Sequence, residues 1–191
     1  MSTLQQLWAA LDGQQCAPER LSVLCAALSD LGAQEQPPKS NSGPQIDHLV
    51  RGIADYWHSD LIQPDWCAAA VSHWVRRGLG LPDWDRRRVK PFAPVVAGHP
   101  WGRWLVGCKQ LWEWAEATPG ALLSKPEPGA VWIIGYMQGD RQIYQHTGLV
   151  LSVHPDDNEI QTIEVNWGSE VASRRMPASQ PICYIAWWAG L

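Results

Sequence analysis

HTGLVLSVHPDDNEIQTIEVNW, residues 146–167, contains two short runs rich in aliphatic and β-branched residues, separated by Pro, Asp and Asn. Such runs predict strands, and HPDDNE between them is a hairpin turn by composition. AVWIIGY (130–136) before this stretch and ICYIAWW (182–188) after it have the same texture. The chain ahead of Gly129 is helical or irregular in pattern. Helices first and strands second predict an α+β fold with an antiparallel sheet, because a parallel sheet needs strands alternating with helices.

The helical half has a readable order. Leu4, Leu7, Trp8 and Leu11 recur at helical spacing, as do Leu21, Leu24, Leu28 and Leu31 after Pro18 and Glu19, with Gly32 closing the second helix. AQEQPPKSNSGP (33–44) is a loop by composition, and a third helix is expected from about Gln45 to Trp57. A fourth, opened by Asp65, places Cys67, Val71, Trp74, Val75 and Gly78 on one stripe. A fifth is expected from about Arg103 to Ala117, with Cys108 as core.

Composition narrows the function. With 191 residues, 46% of them apolar and 18% charged, the chain can bury one core. A net charge of -4 argues against nucleic acid as the main partner, and Arg86, Arg87, Arg88 and Lys90 form the one basic run, expected as a solvated loop. No apolar run approaches the roughly 20 residues of a membrane helix, and the N-terminus lacks the pattern of a secretory signal. Five cysteines without a C-x-x-C pair indicate neither a disulfide framework nor a zinc site, and neither cofactor nor metal is expected. Thirteen tryptophans against one phenylalanine mean that most are core, with some available to line a groove for sugars or peptides.

Chemistry concentrates at four residues. Cys67 falls in the first turn of its helix, where unpaired N–H groups and the dipole favour a thiolate. His73 is about 240° around that helix and cannot be its base, so a histidine from elsewhere is required. The alternation of a strand puts Glu164 and Asn166 on one face of IQTIEVNW. If the preceding strand starts at His146 and the loop is odd, as with Pro155–Asp157, Asn166 falls opposite His146 and Glu164 diagonal to it, whereas an even loop would set His146 opposite an apolar residue of the far face; the odd register is the one that makes a polar cluster. A strand-edge histidine and a polar strand face are individually commonplace, and a buried cysteine is most often filler. In this order they are the parts of a thiol hydrolase: nucleophile, base, and the group that orients the base.

These pieces resemble the CHAP amidohydrolase/peptidases and their NlpC-type relatives, papain-like cysteine hydrolases of bacterial peptidoglycan. The similarity rests on LGAQEQPPKSNSGPQID, PDWCAAAVSHWV, PGAVWII, HTGLVLSV, TIEVNWGS and ICYIAWW, in family order from about Leu21 to the C-terminus. Ala70 stands where the family usually has a bulky aromatic, and Gly80–Gly102 matches no pattern. The resemblance implies a papain-like domain over 21–191 behind a helical extension, 1–20, with Cys67 as nucleophile, His146 as base, and Glu164 and Asn166 as its polar partners. It also implies peptidoglycan as substrate, cut at an amide bond in the stem peptide or between sugar and peptide. Gln63 is the oxyanion-donor candidate nearest in sequence. The expected setting is synthesis in the cytoplasm and action in a periplasm or cell wall after delivery by a holin or secretion system, with an inhibitory immunity protein as a further partner. The rivals are a protein-directed deamidase or transglutaminase toxin of the same fold, and a degenerate wall-binding domain.

Overall fold

The structure, a computed structural model, describes residues 16–49, 66–81 and 107–190. The expected helix at Leu4–Leu11, most of the helix expected to end at Trp57, the basic run at Arg86–Lys90 and Gln63 lie outside the described residues. The described part is α+β. Its helices are α1 (Pro18–Leu28), α2 (Cys67–Gly78) and α3 (Cys108–Ala117). Its strands are β1 (Leu122–Leu123), β2 (Val131–Gln138), β3 (Arg141–His154), β4 (Glu159–Glu164), β5 (Ala172–Pro177) and β6 (Cys183–Ile185). They form one sheet in the order β1-β6-β2-β3-β4-β5, antiparallel throughout. None of the described helices is long and apolar enough to cross a membrane.

Alternation along the strands builds a core on each face. Leu149, Leu151, Ile163, Val131 and Ile133 pack with Val23, Leu24, Val71 and Trp74 in the helix–sheet core. Trp132, Val150, Ile160, Met176 and Tyr184 form a second cluster. α1 and α2 approach closely because α2 has no side chain at Gly78: a Cβ there would stand 2.5 Å from the Val23 Cα.

Several elements differ from the sequence reading. α1 stops at Leu28, so Leu31 lies in the turn beyond it and Leu21 is exposed; the buried residues are Val23, Leu24, Ala26, Ala27 and Leu28. α3 starts at Cys108 rather than near Arg103, because Gly107 is extended and its N–H bonds the Gln110 side chain. β3 begins at Arg141, not at His146. β5, ASRRMP, was not expected as a strand: it is an edge with little apolar alternation, paired through its backbone to β4.

The hairpin loop also differs. His154 pairs with Glu159, so four residues intervene, a 3-10 turn over Pro155–Asp157 and Asn158 in the left-handed conformation. That even loop alone would set His146 against the wrong face of β4. A register shift at Leu151 corrects it, and Gly148 faces Glu164. One extra residue in one strand reverses the parity of every pair beyond it.

Candidate active site

Cys67 is the first residue of α2 and is 2% exposed. Trp66 is the N-cap and offers no side-chain cap; its fully buried indole N–H instead donates to Glu35 Oε1 at 2.9 Å. The anchored indole fixes where the helix starts. Ala68, Ala69 and Ala70 are fully buried behind the thiol. The small residue at 70 is therefore part of close packing around α2.

His146 lies next to a second β3 irregularity: Ile134 pairs with His146 but Gly135 with Tyr144, leaving Gln145 as the extra residue. Its ring meets Trp132 edge-on at 5.4 Å between centroids, and the Trp167 ring lies 5.9 Å away. Cys67 belongs to the helix–sheet core and Trp132 to the second cluster, so the cysteine and histidine meet where the two cores join.

Glu164 ends β4 with its side chain fully buried. Its Oε2 lies 2.7 Å from His146 Nε2. Its Oε1 accepts hydrogen bonds from Thr162 Oγ1 at 3.0 Å and from Arg174 Nε. Gly148 makes room for this carboxylate, since a Cβ there would sit 2.9 Å from both Glu164 Cβ and Trp132 Cζ2. Arg174 stacks over Trp167, with 3.9 Å from Cζ to the ring centroid.

The electrostatics follow from these contacts. Burial pulls the His146 pKa down, but hydrogen bonds and charge from Cys67 and Glu164 outweigh it and bring it up to about 9. The imidazole is therefore protonated at neutral pH, with Nε2 turned to Glu164 and the other ring nitrogen left for the thiol. Burial works against the Glu164 carboxylate, yet His146 and Arg174 hold its pKa below the ordinary value. Behind the Cys67 sulfur the row alternates in charge: imidazolium, carboxylate, guanidinium. A thiolate held beside an imidazolium can attack an acyl carbon, and the imidazolium can protonate the leaving group.

Of the four residues read from the sequence, the structure brings Cys67, His146 and Glu164 together. Asn166 lies past the end of β4 in left-handed conformation (φ 60°), partly exposed, and makes no hydrogen bond to His146. Here the alternation fails because the strand has ended: Asn166, Gly168 and Ser169 all have positive φ. Glu164, expected diagonal to His146, is the residue that reaches its ring.

Sequence reasoning missed Arg174, Gly148 and Cys108. Arg174 carried no strand signal, and a glycine within HTGLVLSV looks like an ordinary weak point. Cys108, 7% exposed and first in α3, has its sulfur 3.7 Å from that of Cys67. Comparison with models of protein families, with curated proteins and with solved structures finds no match to this chain.

Proposed function

We propose that the protein is a papain-like cysteine amidohydrolase or peptidase that cuts an amide bond in peptidoglycan. The observation that carries this reading is the contact chain Cys67–His146–Glu164, with the thiol at a helix start and the histidine on a strand of an antiparallel sheet. In the reaction, the Cys67 thiolate attacks the scissile carbonyl and His146 gives its proton to the departing amine, leaving a thioester on Cys67. The neutral imidazole then takes a proton from water, hydroxide attacks the thioester, and the thiol leaves as the acid product forms. Glu164 holds the ring in place and stabilises its protonated form, and Arg174 holds Glu164.

The substrate class rests on the family resemblance together with one local feature. Trp167 is 50% exposed beside His146, a flat apolar surface of the kind that accommodates a sugar or peptide face. Mass spectrometry of purified peptidoglycan after digestion tests the reading, with Cys67→Ala as the blank. New amine-terminated or peptide-free fragments with the wild type alone support it. Intact peptidoglycan with both proteins rejects it.

A further inference from the structure

About 240° around α2 from Cys67, three side chains from separate segments converge. Asp30 comes from the turn after α1, His48 from the helical residues 47–49, and His73 from the middle of α2. One ligand-capable atom from each lies within 4.8 Å of the other two. Asp30 Oδ1 is 3.2 Å from His48 Nε2, and the His48 and His73 rings meet edge-on at 5.7 Å between centroids. Behind them, the Trp74 indole N–H donates to Asp30 Oδ2 at 2.9 Å. That bond fixes the carboxylate with Oδ1 toward the histidines, as an outer-shell donor does for a metal ligand.

We propose that Asp30, His48 and His73 form a three-ligand site for a divalent transition-metal ion of the zinc, cobalt and nickel class, with solvent completing the coordination. Two imidazole nitrogens and one carboxylate oxygen suit these borderline ions, whereas calcium and magnesium take oxygen ligands. The spacing is close to what binding needs. With the ligand atoms no more than 4.8 Å apart, an ion among them stands at most about 2.8 Å from each, so the ligands close in by under about 1 Å to reach bonding distance. His48 is 39% exposed and supplies both the movement and the opening to solvent, while Asp30 at 9% is held from the protein side. Arg77 Nη1 lies 3.7 Å from Asp30 Oδ1 with its side chain 47% exposed. The carboxylate thus already faces a cation, and an incoming ion takes the place of that guanidinium. Because the ligands join the α1 turn, the 43–49 segment and α2, the ion clamps the helix that carries Cys67.

Cobalt(II) tests the site on the full chain, because its spectrum tells these ligands from the five cysteines. Expected are one retained cobalt per chain after dialysis, weak visible bands without the intense sulfur-to-cobalt charge-transfer band, and a higher melting temperature. The double variant His48→Ala/His73→Ala should bind at least tenfold more weakly. No retained cobalt, or cobalt showing the sulfur band, overturns the proposal on the wild-type protein alone. Undiminished binding by a folded double variant overturns it as well.

Discussion

At the scale of single residues, the decisive fact is that a buried thiol and a partly buried imidazole meet beside a fully buried carboxylate. Cys67→Ala should abolish hydrolysis with the fold retained, and His146→Ala should lower the rate on the order of 10²–10⁴-fold; fragment release with circular dichroism as the folding control checks both. The pH dependence follows from the raised His146 pKa. The active thiolate–imidazolium pair persists through neutral pH and is lost on an alkaline limb near pH 9, and Glu164→Gln moves that limb downward by removing one charge that raises it. Stability follows the same proton: His146 contributes fully below about pH 6.5, and its contribution fades as pH rises through about 9, which urea denaturation across that range measures. Alkylation should favour Cys67, because burial raises the pKa of Cys16, Cys25 and Cys183, that of Cys183 to about 12. The Cys67–Cys108 contact at 3.7 Å predicts an oxidation product. Hydrogen peroxide converts the Cys67 thiolate to sulfenic acid with release of hydroxide, and the Cys108 thiol then displaces water from the sulfenic acid to close a disulfide. Intact mass should fall by two hydrogens and activity should return with dithiothreitol; Cys108→Ser should show neither the mass loss nor the recovery.

At the scale of elements, two irregularities in β3 aim the site. The register shift at Leu151 offsets an even hairpin loop, and the extra residue Gln145 precedes the strand segment that carries His146. Gly148 lies between them, beneath Trp132 and against Glu164. Gly148→Ala should destabilise the fold by about 1–3 kcal/mol through overpacking, and reduce activity beyond that effect by displacing the carboxylate. β5 contributes a single functional side chain. Arg174→Ala leaves a fully buried carboxylate with one cation fewer, at a cost of about 1–3 kcal/mol, and should lower the His146-dependent rate. Arg174→Lys restores the charge but not the stacking over Trp167, so thermal melts and kinetics of both variants separate the two contributions.

At the scale of the whole molecule, a sheet with a core on each face holds a helix start against a strand, and its proposed substrate lies outside the cytoplasm. Wild type directed to the periplasm of a Gram-negative host should lyse the culture, while the same protein kept inside should not; Cys67→Ala should be harmless in both places. Turbidity reads the result. Killing by the cytoplasmic form, lost in Cys67→Ala, would transfer the target to a protein and favour the deamidase rival.

Local pattern was enough for what depends on neighbours in the chain. Helical spacing and strand texture determined the α+β class, the stripe of α2 and the position of Cys67 in a first turn, because side-chain periodicity is a local property of the backbone. The pairing of His146 with Glu164 was legible only as a choice among registers. Tertiary structure made that choice through the Leu151 shift, since a bulge leaves no composition signal and reverses every pair beyond it. Arg174, Cys108 and the Asp30–His48–His73 cluster were invisible in sequence for a related reason. Each joins residues that only packing brings together, and neither burial nor a charge partner from another element is written in the order of residues along one element.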